Sequence, residues 1–220
     1  VGTDSGTAES GIKRRREAAR NEGNEEYRSK REALIEAAAA VFKERGYEAT
    51  TLNDVAARIG SDRATLYYYV GSKRELFEET VLGAVKANLE ELDRILELDL
   101  PPDEKLRCLV ERLILSYEEH YPQLYVYMQE DMSRVDSEDS AWAKELEKVT
   151  RRWDTTTIRL ISEAMDEGIF RNDIDPKLVA NGLFGMLNWT HRWFAPRNGH
   201  KAAEIVEAFW TIFTEGVRTR

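Results

Sequence analysis

The chain has 220 residues, 42% hydrophobic and 33% charged, with a net charge of −9 and one cysteine. This is enough for one sizeable core, or a core with a small satellite domain, and Cys108 alone excludes an intramolecular disulfide or a cysteine metal cage. The acidity is uneven: residues 1–75 hold 14 Lys and Arg against 13 Asp and Glu, and the remainder holds 18 against 28. A uniformly basic nucleic-acid binder is excluded, whereas a near-neutral head on an acidic body is compatible with DNA binding through the head.

In chain order, Val1–Gly11 is polar and acidic with almost nothing to bury, and is expected to be disordered. Ile12–Arg20 is basic and interrupted by Gly23 and Asn24, so residues 1–25 are read as a flexible basic arm. Lys13-Arg14-Arg15-Arg16 is not followed by an apolar segment, so no secretion signal is expected. The first sustained helix is predicted from Glu26 to Arg45, with Leu34, Ile35, Ala38, Val41 and Phe42 on one face and Gly46 closing it. Thr50 or Thr51 opens a short helix with Leu52, Val55, Ala56 and Ile59 inward, and Asp54 stands three residues after Thr51 at capping-box spacing. Gly60 ends that helix. Ser61 or Asp62 caps the next, which turns Leu66 and Val70 inward. Gly71 breaks it, and Ser72 caps a fourth helix from Lys73 to about Leu98.

Beyond Pro101-Pro102 come the amphipathic segments Asp103–His120, Pro122–Arg134, Ala141–Gly168, Pro176–Phe194 and Lys201–Val217. Cys108, beside Leu106, Leu109 and Val110, is expected to be a buried thiol. No strand alternation and no run of about 18 apolar residues occurs, so no membrane span is expected and a reducing cytoplasm fits. The expected fold is all-α. A tri-helical helix-turn-helix DNA-binding domain over 26–75 precedes a larger helical ligand-sensing and dimerisation domain over 76–220.

The stretch Thr51–Lys73 carries the chemistry. With Leu66 and Val70 inward, Arg63, Ala64, Thr65, Tyr67 and Tyr68 are left outside. Adjacent helical residues point about 100° apart, so the three consecutive tyrosines cannot all be core. Arg63 can donate two parallel bonds to a guanine edge, and Ala64 or a tyrosine ring can meet a thymine methyl. The hydroxyls of Thr51, Thr65 and Tyr69, with Lys73 and the first amides of the fourth helix, suit phosphate oxygens.

These residues resemble the TetR family of transcriptional regulators over roughly Glu32–Phe77. The match includes the Ala-rich first helix, Phe42, Gly46, Thr-Thr before Val55-Ala56, Gly60, Thr65-Leu66-Tyr67, and Ser72-Lys73 leading to Leu76-Phe77. The resemblance implies a dimer with recognition helices in successive major grooves of a pseudo-palindromic double-stranded operator. It implies Thr51, Thr65, Tyr69 and Lys73 as phosphate contacts, and Asn53, Arg63, Ala64, Tyr67 and Tyr68 as base contacts. Val70 departs from the pattern, which usually has phenylalanine there, and the N-terminal extension is long. Its Lys13–Arg16 cluster with Arg20 reads either as an arm in the minor groove or along phosphates, or as a solvated tail.

The resemblance also implies an inducer cavity in the second domain. Leu113, Tyr117, Tyr121, Leu124, Tyr125, Met128, Trp153 and Phe184, with Leu160, suit an apolar pocket, or simply a core. Asn188, Trp189 and Arg192 belong to a Trp-x-x-Arg-Trp-aromatic run similar to one branch of the family that responds to acyl-CoA or other hydrophobic metabolites. Arg192 then pairs with an acidic ligand group, or with a neighbouring Glu. The implied effector is small and hydrophobic, aromatic or acyl-CoA-like. A homodimer is expected through the last two helices, with the small strip Gly182 and Gly185 beside Leu183, Met186 and Leu187. The stripe Val206, Phe209, Trp210 and Phe213 is placed at that interface, or in an internal core.

Catalysis is not expected. None of His120, His191 and His200 has a Glu three residues before it, and no nucleophile motif or phosphate-binding glycine loop occurs. No cofactor or metal is expected. The reading is a ligand-responsive regulator, as a repressor; the alternative is a helical ligand-binding or interaction protein without specific DNA binding.

Overall fold

The computed structural model describes residues 25–129, 140–196 and 199–219, and every element but one short bridge is helical. The basic arm before Glu25 lies outside the described residues. The described chain falls into two compact units, one over 25–82 and the other over 83–129 with 140–219.

In the first unit, α1 (Glu25–Ala49) buries the predicted Leu34, Ala38, Val41 and Phe42 together with Ala39, whereas Ile35 is only half-buried at the edge of that face. The helix breaks at Gly46, whose φ of 77° is strained for a side-chain-bearing residue, and the Thr50 hydroxyl donates to the Gly46 carbonyl at 2.8 Å. α2 (Leu52–Arg58) starts with a complete capping box. The Asp54 N–H donates to Thr51 Oγ1 (3.3 Å), and the Thr51 N–H donates to Asp54 Oδ2 (2.8 Å). Gly60, at φ 66°, turns the chain, and Asp62 caps α3 (Arg63–Tyr69) by accepting from the Thr65 N–H at 2.7 Å. α4 (Lys73–Glu97) begins where Ser72 Oγ accepts from the Glu75 N–H at 3.0 Å.

The core of this unit is Leu34, Phe42, Val55, Leu66, Val70, Leu76 and Phe77, each at most 1% exposed. The Phe77 ring stands edge-on to Phe42 and Tyr47, with centroids 5.4 and 4.8 Å away. Val70 thus fills the inner position with no exposure at all. Ile59 does not join the core. α2 stops at Arg58, so Ile59 leaves the helical register and is 38% exposed. Arg31 on α1 and Glu79 on α4 form an ion pair, each side chain under a fifth exposed.

The second unit comprises the rest of α4, α5 (Pro102–Glu119), α6 (Gln123–Gln129), α7 (Ala141–Asp166), α8 (Pro176–Trp189) with a 3-10 turn at Thr190–Arg192, and α9 (Ala202–Val217). α5 packs against α7 and α9, and α7 against α8. Ser140 caps α7 through the Ala143 N–H, and Asp175 caps α8 through the Lys177 N–H. The predicted helix Pro122–Arg134 is described only to Gln129; its remainder lies outside the described residues. A bridge between Phe170 and Arg218 ties the end of α9 to the turn after α7.

Two expectations change here. Cys108 is only half-buried, because α5 turns it between the core face and solvent; burial, then Glu111 and Glu104, still raise its thiol pKa. Of the predicted stripe, Val206, Trp210 and Phe213 are buried within the unit, at 3%, 6% and 7% exposure, and are internal core, whereas Phe209 is half-buried. The outer faces carry other residues: Leu178, Trp189 and Ile212 are each more than 60% exposed. All five tryptophans belong to this unit. Among the described residues, no helix is long and apolar enough to cross a membrane, and no His, Cys, Asp and Glu cluster could hold a metal ion.

Candidate functional sites

In the first unit, the start of α2, the outer side of α3 and the start of α4 meet around an open cleft of about 500 Å³. Thr51, Asn53, Tyr67 and Lys73 line it with Thr50, Gly71 and Ser72. Four of the sequence-predicted contacts therefore share one surface, beside two helix starts. A second cleft, of about 380 Å³, is lined by Thr65 and Tyr69 with Lys30, Ile59 and Ser61. Tyr68 is 37% exposed and joins a cluster of three rings, edge-on to Tyr27 (5.8 Å) and to Tyr69 (5.1 Å). The side chains of Arg63 and Ala64 lie outside those described.

Lys73 and Thr51 are among those already engaged within the chain. The Lys73 ammonium donates to the carbonyls of Tyr47 (2.9 Å) and Glu48 (3.2 Å), and lies 4.3 Å from the centre of the Tyr47 ring. It thus ties the start of α4 to the turn that ends α1. The Thr51 hydroxyl donates to Asp54 Oδ2 at 2.6 Å. That bond and the backbone bond from Thr51 hold the Asp54 carboxyl below the usual carboxylate range, with Arg45 adding to the effect. Sequence reasoning missed Tyr27. It reads as an aromatic among charges at a helix start, and its ring packing depends on contact between α1 and α3.

In the second unit, five helices surround a cavity of about 380 Å³. α4 contributes Val85 and Asn88, α5 Leu113 and Tyr117, and α6 Leu124, Tyr127 and Met128. α7 contributes Val149, Thr150, Trp153 and Asp154, and α8 contributes Asn181, Phe184, Leu187 and Asn188. The predicted Leu113, Tyr117, Leu124, Met128, Trp153, Phe184 and Asn188 are thus brought to one wall. Tyr117 is bonded to the Thr190 side chain, and burial pushes its hydroxyl far above the ordinary tyrosine range, with Tyr127 adding to the shift. Burial also raises the Asp154 carboxyl.

Tyr121, Tyr125, Trp189 and Arg192 are not brought into that wall. Asn181, Phe184 and Asn188 occupy one face of α8, whereas Trp189 falls on the exposed line through Leu178, Gly182 and Gly185. Arg192 lies 5.4 Å from the Trp189 ring, Tyr121 and Tyr125 pack edge-on to each other, and Tyr125 also stands edge-on to His191. Leu160 is core, at 1% exposure. Asn88 was the missed residue with a readable signal, since it interrupts the buried apolar stripe Val81, Ala84, Val85, Leu92 and Ile95 on α4.

Family patterns match segments of both units. Residues 34–80 match the pattern described as bacterial regulatory proteins, tetR family, and residues 99–217 match the tetracyclin repressor-like C-terminal domain. The chain belongs to the TetR family of transcriptional regulators. It is 27% identical over 190 residues to the transcriptional repressor KstR2 of Mycobacterium tuberculosis, covering 86% of this chain and 93% of that one. The structure of KstR2, described as a ketosteroid transcriptional regulator, superposes with a TM-score of 0.82 at 26% identity, over 87% of this chain and 96% of that one. PfmR from Thermus thermophilus superposes with a TM-score of 0.73 at 30% identity, over 83% and 97%. AibR, solved with isovaleryl coenzyme A and operator DNA, shares the fold with a TM-score of 0.70 at 21% identity, over 83% and 96%. These relatives are regulators, not enzymes.

Proposed function

We propose that this protein is a ligand-responsive repressor that binds a pseudo-palindromic operator as a homodimer and is released by a small hydrophobic or acyl-type effector. The observation that carries the DNA half is the shared cleft of Thr51, Asn53, Tyr67 and Lys73 at two helix starts. Phosphate oxygens meet the amides and hydroxyls at the rim. Asn53, Tyr67 and Tyr68, with Arg63 and Ala64, read base edges from the major groove.

The dimer reading rests on Gly182 and Gly185. Both are exposed on α8, and a Cβ at either would meet nothing within 4 Å in this chain. Glycine in a helix interior costs about 1 kcal/mol relative to alanine, so two of them call for a reason outside the chain. Close approach of a second copy, flanked by Leu178, Trp189 and Ile212, supplies one.

The effector reading rests on the cavity and its largely apolar wall. Release requires the ligand to bind the DNA-free state more tightly than the DNA-bound state. The KstR2 description and the AibR ligand make steroid-like and short acyl compounds the first to try. Two measurements test the proposal. Purified protein should bind the intergenic DNA beside its own gene selectively, with affinity falling steeply as salt rises. A thermal-shift screen of steroid-like compounds, acyl-CoAs, hydrophobic acids and aromatics should find a compound that both stabilises the protein and releases that DNA. Salt-insensitive or unselective DNA binding would instead support a helical interaction protein without an operator.

A further inference from the structure

The sensor reading leaves open what kind of head group the cavity accepts. Its apolar wall is formed by Leu113, Phe184, Leu187 and Trp153, which suits a ring system or a short chain. The polar groups on the same wall are of three kinds, of which the hydroxyls of Tyr117, Tyr127 and Thr150 are already bonded within the chain. Asn88, Asn181 and Asn188 present amides, and Asp154 presents a carboxylate. Asn88 is the buried one, only 6% exposed, and its Oδ1 has no hydrogen-bond partner. A buried amide oxygen left unpaired is costly, and a ligand that donates to it recovers that cost on binding. The carboxylate works in the other direction: Asp154 is exposed at the edge of the cavity, and a second negative charge brought beside it is repelled.

We infer that the cavity selects an uncharged apolar molecule bearing a hydroxyl or N–H donor, paired with Asn88, and disfavours a carboxylate on the same hydrophobic body. Asn88 is a specificity-determining residue for the donor, and Asp154 discriminates against anions. The inference rests on the sensor reading and narrows it.

The test uses the full chain and three matched probes: 2-naphthol, 2-methoxynaphthalene and 2-naphthoate. Equilibrium dialysis at neutral pH gives their affinities. The expected order places naphthol at least tenfold tighter than naphthoate, with the methyl ether in between. Asn88→Leu should bring naphthol down to the level of the ether while leaving ether binding intact, which also shows that the variant is folded. Asp154→Asn should narrow the gap between naphthol and naphthoate by strengthening the latter, without moving the former. Naphthoate binding as tightly as naphthol, or an Asn88→Leu variant that still prefers naphthol to the ether, would overturn the inference and leave the sensor reading standing. Failure of all three probes to bind would overturn the inference too. The sensor reading falls separately, if no compound of the wider screen releases operator DNA.

Discussion

Lys73 shows how a side chain proposed for the DNA interface also serves the fold. Sequence position suggests a phosphate donor, and the structure gives its ammonium two carbonyls and an aromatic face. Replacing it with methionine keeps much of the stem and removes the charge. The expected cost is about 2 kcal/mol in the stability of the first unit, from the loss of charge-assisted bonds, read by urea unfolding. Operator affinity should fall by a similar factor for every sequence, because no base contact is lost. Tyr68→Ala should behave differently. It removes an exposed ring from the recognition helix, and should relax base preference at a cost of about 1–3 kcal/mol in specific binding, measured by competition with mutated operators. An unchanged base preference in Tyr68→Ala would move the reading role to Asn53 and Tyr67.

At the scale of elements, the helix ends are the most local devices in the chain. Thr51→Ala removes the cap of α2 and should destabilise the first unit by about 1 kcal/mol, whereas Thr51→Ser should retain most of it. The partner in the box adds a pH signature. Thr51 holds the folded Asp54 carboxyl below its unfolded value, so the stabilisation is complete above the ordinary carboxylate range and is lost as pH falls through the folded value. Acid titration of unfolding should therefore show a shallower slope in Asp54→Ala than in the parent. α4 carries an element-scale test of another kind. Gly83 is exposed in mid-helix and a Cβ there meets nothing, so Gly83→Ala should raise stability by about 0.5–1 kcal/mol in a thermal melt.

These ends are also where the sequence was most legible. Gly46, Gly60, Thr51, Asp62 and Ser72 act through bonds to residues a few positions away, so their spacing alone predicts them. The cavity was half legible for the same reason. Leu113, Tyr117, Trp153 and Phe184 repeat at helical periods, but the contribution of Val85 and Asn88 depends on α4 packing against helices distant in sequence. The run Asn188–Phe194 misled in detail because adjacent helical residues diverge, so Asn188 faces the cavity and Trp189 faces outward.

For the whole molecule, association is the property that most needs another chain. Val206, Trp210 and Phe213 read as an interface stripe because periodicity marks an apolar face without saying what covers it. Burial assigns them to the core and leaves Leu178, Gly182, Gly185, Trp189 and Ile212 outside. Gly185→Arg and Ile212→Asp should each shift the monomer–dimer equilibrium toward monomer at least tenfold by analytical ultracentrifugation, with helical content unchanged. If both variants remained dimeric, the interface would lie on another face.

The distribution of aromatic side chains has an optical consequence. All five tryptophans sit in the second unit, while the first has tyrosines but no tryptophan, at positions 27, 47, 67, 68 and 69. Light at the red edge of the tryptophan band therefore sees the sensing half alone. The far-ultraviolet ellipticity reports the helices of both halves together. A single denaturation experiment with both detectors would separate two melting events if the halves unfold independently, and superimpose them if they unfold as one, without any label attached to the chain.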